Sequence, residues 1–129
     1  MEYCFCKVLD LTFDEAVNMV KEKLKDEGFG ILTEIDVKKT FMEKLNVEFP
    51  RYMILGACNP PFALRALQKE SRIGTMLPCN VIVRELETGQ IEVCAVDPAA
   101  SMQAVDNKGL GEVAGQIRTK LQTVVNNLG

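Results

Sequence analysis

The 129-residue chain contains no histidine and no tryptophan, and only 6% of its residues are aromatic. Without histidine, the chain excludes Ser-His-Asp and Cys-His nucleophilic sites, histidine-ligated zinc and imidazole acid–base chemistry near neutral pH. The sequence also lacks the glycine-rich phosphate loops and the nucleophile elbow of common enzyme classes. These absences weigh against an enzyme, so we assign no catalytic residue and no cofactor.

Two further absences limit the partners and the location of the protein. The formal net charge of −3, from 15 basic and 18 acidic residues, is not the basic excess typical of nucleic-acid-binding proteins. No run of residues approaches the roughly 20 apolar residues of a membrane span, and the N-terminus lacks the pattern of a signal peptide. We therefore expect no nucleic-acid partner, no membrane partner and a cytoplasmic location. The 5 cysteines cannot all pair within one chain, and free thiols are their expected state in the cytoplasm.

Strand and helix patterns alternate along the whole chain, and residues 1–129 are expected to form a single domain. The clearest helix features are a capping box of Thr12 and Glu15 and an apolar stripe that runs from Leu110 to Leu128. The order of the elements predicts an α+β fold in which a mostly antiparallel sheet of about five strands packs against a long C-terminal helix and shorter helices. Strands are predicted at 3–9, 31–37, 51–57, 79–87 and 90–96.

Residues 97–109 form a long segment with a loop-like composition between the last strand and the last helix. Loops of this length are uncommon in small domains and often act as lids or interface segments. Met102 and Val105 are apolar residues in this otherwise polar loop. We interpret them as lid or dimer contacts.

A Cys-Asn step occurs twice, as Cys58-Asn59 before a Pro-Pro helix start and as Cys79-Asn80 at a strand entry. Asn59 is a favourable N-cap, and the proline that follows is a favourable first helical residue. Asn80 has no comparable local role, because asparagine is depleted in strands. We expect the amide of Asn80 to bond to the 56–60 loop or to line a cleft.

We hypothesise that Cys58 and Cys79 lie close together at one border of the sheet. Three interpretations follow: packing as small buried hydrophobic residues, lining of a small pocket, or use as a redox pair or soft-metal site. Two thiolates without histidine suit Cu(I) better than a four-ligand zinc site. Asp97 lies at a strand end and is expected to pair with Arg72 or Arg84.

The remaining cysteines are interpreted as packing residues. Cys4 and Cys6 are two residues apart on a predicted strand, so their side chains point the same way and cannot bridge each other without distortion. Cys94 lies in the middle of an apolar strand, where a core position is expected.

Three stretches together resemble domain-of-unknown-function family 302, over nearly the whole chain and in the same order: GACNPPFALRAL, IGTMLPCNVIVRE and VCAVDPAASM. The resemblance implies a compact α+β fold similar to the TATA-binding-protein-like and Bet v 1-like folds, with a curved antiparallel sheet around a long C-terminal helix. It also implies homodimers among the relatives. It implies no activity, because a fold alone does not carry one.

The expected function is a cytoplasmic, homodimeric binding or interaction module with a small-ligand cleft near the two Cys-Asn steps. The candidate ligand-binding residues are Cys58, Asn59, Cys79, Asn80 and Asp97. The alternative is a thiol-dependent redox or soft-metal-binding protein that uses Cys58 and Cys79. A third interpretation is a purely structural partner with the 97–109 loop as its interface.

Overall fold

Five strands form one antiparallel sheet in the computed structural model, which describes residues 2–129. The strand order is β1-β5-β4-β3-β2, so the first strand of the chain is an edge strand of the sheet and pairs with the last strand. This arrangement confirms the predicted antiparallel α+β fold. The strands are β1 (Cys4–Leu9), β2 (Gly30–Asp36), β3 (Tyr52–Cys58), β4 (Cys79–Glu85) and β5 (Ile91–Val96).

The helices include the expected long C-terminal helix and one short helix within the predicted loop 97–109. Among residues 2–129, no helix combines the length and hydrophobicity that a bilayer-crossing segment needs. A short 3-10 turn at Ile73–Met76 precedes β4. The helices are α1 (Phe13–Asp26), α2 (Val37–Leu45), α3 (Pro60–Lys69), α4 (Pro98–Ser101) and α5 (Lys108–Asn126).

The start of α1 shows how local sequence determines an element. The Glu15 amide donates to Thr12 Oγ1 at 3.2 Å, and the Thr12 amide donates to Glu15 Oε1 at 3.0 Å. These two bonds satisfy amides that the first helical turn leaves without partners. The Thr12 amide, and secondarily the Thr12 side chain, lower the pKa of the Glu15 carboxyl. Gly28 follows the helix at a φ of 86°, where a side chain would be strained. The predicted capping box is confirmed.

Side chains of the sheet alternate between two faces, and α1 and α5 cover one of them. The residues of the covered face are fully buried against the apolar stripes of both helices. Each large aliphatic side chain buried in this way contributes about 1.5–3 kcal/mol before entropy costs. The covered core includes Leu55, Val81, Val83, Val93 and Ala95 from the strands, Ala16, Val20 and Leu24 from α1, and Leu121 and Val124 from α5.

The opposite face of the sheet, here called the open face, is not covered by α1 or α5. The register places Cys6 beside Cys94, and Cys94 beside Ile82, in one row across three strands. The next row contains Glu92 beside Arg84, whose Nε donates to Glu92 Oε1 at 2.7 Å. This face therefore carries cysteine side chains and an ion pair where the covered face carries mainly aliphatic side chains.

Cys6 and Cys94 were expected to be free thiols, but the structure instead joins them in a disulfide. The two residues lie directly opposite each other on β1 and β5, with their Cα atoms 4.1 Å apart. Directly opposed residues on antiparallel strands come this close when they share no backbone hydrogen bonds. Cys94 is nevertheless buried, as expected, and Cys4, Cys58 and Cys79 are free.

Met102 and Val105, which we interpreted as lid or dimer contacts, make packing contacts within the chain. Met102 is buried in a second apolar cluster of the same chain, together with Ile73 and Leu110, and Val105 packs against that cluster. The short helix α4 makes this possible, because it turns the chain back over α5. Pro98 and Met102 therefore anchor the segment to the rest of the domain, whereas most of its other residues are exposed or half-buried.

Candidate functional site

A cavity of about 320 Å³ lies between α3, α5 and the adjoining ends of β3 and β4. Its walls are almost entirely apolar, and both Cys58 and Cys79 contribute to them. The lining residues are Phe29, Leu32, Ala57, Cys58, Asn59, Phe62, Ala63, Ala66, Leu67, Gly74, Leu77, Pro78, Cys79, Pro98, Met102, Leu110, Val113, Ala114 and Ile117.

Small residues on two helices and one strand keep this space open. Ala66 of α3 and Ala114 of α5 are buried on the cavity wall, so the two helices present methyl groups where larger side chains would meet. At the strand end, a Cβ on Gly56 would come closest to Thr33 Oγ1 and would lie only 2.7 Å from Pro78 Cγ, a separation that real Cβ atoms do not show. Glycine at this position therefore lets both Thr33 and Pro78 pack closely against β3.

The mouth of the cavity is also apolar. Leu32 and Leu67 line the cavity, and their side chains are 66% and 41% exposed. Large apolar side chains that remain exposed beside an apolar cavity are characteristic of ligand-binding surfaces. Phe62, on another part of the wall, carries the guanidinium of Arg65 at 4.2 Å from its ring centroid.

Asn59 is the only residue with a polar amide side chain in the cavity wall, and its amide is already bonded. Asn59 Nδ2 donates to the Glu27 carbonyl at 3.1 Å, which ties the start of α3 to the end of α1. The residue stands at the N-cap of α3, as predicted, but its side chain makes no capping bond. Pro61, at the second helical position, has no amide to donate, and the Asn59 side chain bonds to the Glu27 carbonyl instead of accepting from the Phe62 amide at the third position.

Cys58 and Cys79 meet at the sheet end of the cavity. Ala57 of β3 is directly opposite Cys79 of β4, and Cys58 is the next residue along β3. Burial, and secondarily the neighbouring Cys58, raises the pKa of Cys79 to about 11. Its thiol is therefore neutral at pH 7. Because thiolates are the nucleophiles and metal ligands, this arrangement favours packing and pocket lining over redox or soft-metal chemistry at this pair.

The structure separates Asn80 from the two thiols of the cavity. Side chains alternate along β4, so Cys79 enters the covered face and Asn80 points to the open face. There Asn80 lines a shallow depression with Cys4, Cys94 and Arg84. Burial first, and then Glu92 and Glu2, raise the pKa of Cys4 in this region.

Asp97 also lies away from the cavity, and its predicted pairing with Arg72 or Arg84 is wrong. Asp97 Oδ2 accepts from Arg118 Nε at 3.1 Å, and Asp97 Oδ1 accepts from the Ala99 amide at 3.0 Å. The carboxylate therefore caps α4 and ties it to α5. Both of its oxygens are used in holding the fold, so we assign it a structural role.

The helix walls of the cavity are the part that sequence reasoning missed. Ala63 and Ala66 of α3 were not predicted as site residues, and Val113 and Ala114 were covered only by the predicted apolar stripe from Leu110 to Leu128. The available signal was the occurrence of alanine on the apolar stripes of both helices, since facing small residues pack loosely unless the helices approach closely. Sequence alone does not show that these two stripes face each other.

Comparisons with known proteins identify a family but no activity. A model of the family described as Domain of unknown function DUF302 matches residues 5–128. A crystal structure of an uncharacterised conserved DUF302 protein from Bacillus stearothermophilus matches with a TM-score of 0.93 and 25% sequence identity, over 100% of each chain. A comparison with curated proteins finds no significant match.

Proposed function

The chain belongs to the family Domain of unknown function DUF302, and from that premise we propose that it is a non-enzymatic binding module for a small apolar ligand. The observation that carries this proposal is the cavity between α3, α5 and the sheet, about 320 Å³ in volume. Ligand sites in proteins commonly enclose roughly 300–1,000 Å³, so this cavity lies at the small end of that range.

The size of the cavity limits the ligand. An apolar cavity of about 150 Å³ stays dry and accommodates benzene. A space of about 320 Å³ therefore accommodates roughly a dozen non-hydrogen atoms. At roughly 0.3–0.6 kcal/mol per atom, such a ligand binds with a dissociation constant in the micromolar to millimolar range.

The chemistry of the walls limits the ligand further. No Lys, Arg, Asp or Glu lines the cavity, and the Asn59 amide is bonded to the Glu27 carbonyl. A phosphate, carboxylate or ammonium group inside would lose its hydration without gaining a partner, which costs several kcal/mol. The ligand that fits is therefore an aliphatic or aromatic group, with any polar end left at the mouth beside Leu32 and Leu67.

Protection of a cavity thiol tests the proposal with an internal control. The probe is the ten-carbon alcohol 1-decanol, and the readout is the alkylation rate of each free cysteine in native protein, followed by mass spectrometry. We expect decanol to slow alkylation of Cys58, which lines the cavity, and to leave Cys4, on the open face, unchanged. Equal rates at Cys58 with and without saturating decanol would contradict the proposal.

We further propose that the protein is a homodimer and that it is located in the cytoplasm. We also propose that its fold is similar to the TATA-binding-protein-like folds, as the family resemblance implies. Support for the dimer comes from exposed apolar side chains outside the cavity, such as Tyr3 and Leu45, which are 71% and 64% exposed. Light scattering after size-exclusion chromatography tests it, and a monomer at micromolar concentration would contradict it.

In a reducing cytoplasm the Cys6–Cys94 disulfide is expected to be opened to two thiols.

A further inference from the structure

Three sulfur atoms converge on the open face, on the side of the sheet opposite to the cavity. The Sγ atoms of Cys4, Cys6 and Cys94 all lie within 4.8 Å of one another, and those of Cys4 and Cys6 are 3.5 Å apart. Cys4 and Cys6 point the same way on β1, and Cys94 stands directly opposite Cys6 on β5. Two rigid neighbouring strands therefore hold all three donors.

From this geometry we propose that the reduced protein binds one soft d10 ion, Cu(I), through the thiolates of Cys4, Cys6 and Cys94. A metal ion in the centre of three thiolates, with metal–sulfur bonds of about 2.3 Å, requires sulfur atoms roughly 4 Å apart. The Cys4–Cys6 separation of 3.5 Å and the 4.8 Å limit for the three sulfur atoms lie on either side of that value, and opening the disulfide frees the Cys6 and Cys94 side chains to rotate into the site. The site is distinct from the proposed apolar cavity and does not rest on it.

The choice of Cu(I) follows from the donors that surround the cluster. Thiolate ligands select soft ions such as Cu(I), and a closed zinc site requires four ligands. The chain has no histidine to supply a fourth ligand. The adjacent carboxylate, Glu92, accepts a 2.7 Å hydrogen bond from Arg84, which holds it in an ion pair. Three sulfur donors without a fourth match the coordination preferences of Cu(I) better than those of zinc.

Formation of the site requires one reduction and one metal-exchange step. A cellular thiol of the glutathione class, RSH, reduces the Cys6–Cys94 disulfide: two RSH supply two electrons and two protons, and leave as RSSR. Cu(I) then forms three Cu–S bonds and releases three protons from the thiols to solvent. Burial and the neighbouring Glu92 favour the protonated form of Cys4, and the metal must displace that proton. The disulfide and the metal therefore exclude each other.

The test is an anaerobic competition for Cu(I) against the chromogenic chelator bathocuproine disulfonate. Protein reduced with dithiothreitol and then desalted is expected to withdraw one Cu(I) per chain, whereas disulfide-bonded protein withdraws none. Cys4→Ser and Cys6→Ser are expected to weaken binding by more than the roughly 10–100-fold that loss of an outer-shell partner costs. Neither variant alters the buried core, because Cys4 is half-buried and Cys6 exposed.

Cys58→Ser is the matched control, since Cys58 is also a free, half-buried cysteine but lines the apolar cavity. It is expected to leave the Cu(I) affinity unchanged. Unchanged affinity in both Cys4→Ser and Cys6→Ser, or a loss in Cys58→Ser alone, would overturn the assignment. Binding of Zn²⁺ in preference to Cu(I) would overturn the trigonal site. Decanol protection of Cys58 reports separately on the cavity.

Discussion

The substitution Ala114→Leu tests whether the cavity between α3 and α5 can accept additional side-chain atoms. Ala114 is 4% exposed and lines the cavity from α5. In a filled core, a larger side chain at a buried alanine forces neighbours off their rotamers and costs about 1–3 kcal/mol. In an empty apolar cavity the added carbons are buried without displacing anything.

The expected gain follows from the added surface. Leucine adds three carbon atoms to alanine, and burial of each stabilises by about 0.8 kcal/mol, or about 2.4 kcal/mol in total. Fixing the leucine rotamer costs about 0.5–1 kcal/mol. We therefore expect the free energy of unfolding to rise by roughly 1.5 kcal/mol. In a domain of this size, that corresponds to an increase in melting temperature of roughly 6 °C.

Ala16→Leu is the control for Ala114→Leu, and urea denaturation measures the free energy of unfolding of both variants. Ala16 is 0% exposed, lies on α1 in the closed part of the core and does not line the cavity. We expect Ala16→Leu to lower the free energy of unfolding by about 1–3 kcal/mol. Ala114→Leu is also expected to abolish decanol protection of Cys58. Equal destabilisation by both substitutions would refute the existence of the cavity.

Two further predictions concern the polar atoms at the edge of the cavity. The folded-state pKa of Cys79 is raised from 9.0 to about 11, so its contribution to stability is complete below pH 9 and is lost as the pH rises through 11. Wild type is expected to lose about 2 kcal/mol more than Cys79→Ala between pH 9 and pH 11 in urea titrations; parallel curves would contradict this. Asn59→Ser places a good capping residue at the N-cap but removes the bond to the Glu27 carbonyl, so we expect a loss of about 1–3 kcal/mol in unfolding free energy. An equal or higher stability would show that capping of α3 outweighs that bond.

Local patterns predicted the elements because their causes are local. The capping box of Thr12 and Glu15 involves residues three apart, and the stripe of α5 repeats at helical spacing. Both were confirmed. The cap at Asn59 was predicted by the same kind of rule, but the bond its side chain makes is to Glu27, 32 residues away. A rule based on neighbours in sequence contains no information about that carbonyl.

The five cysteines show the same limit at the scale of the sheet. Alternation along a strand places Cys4 and Cys6 on one side, and this much follows from sequence. Whether Cys94 faces them depends on the register of β1 against β5, across a separation of 88 residues. The cysteines divide into two groups, one on each side of the sheet. Strand alternation accounts for Cys79, whereas Cys58 is the last residue of β3 and lines the cavity together with its neighbour Ala57. Cys58 and Cys79 line an apolar cavity in which charge is disfavoured. Cys4, Cys6 and Cys94 lie on the opposite face, which also carries the Arg84–Glu92 ion pair, and this is the face on which we propose the Cu(I) site.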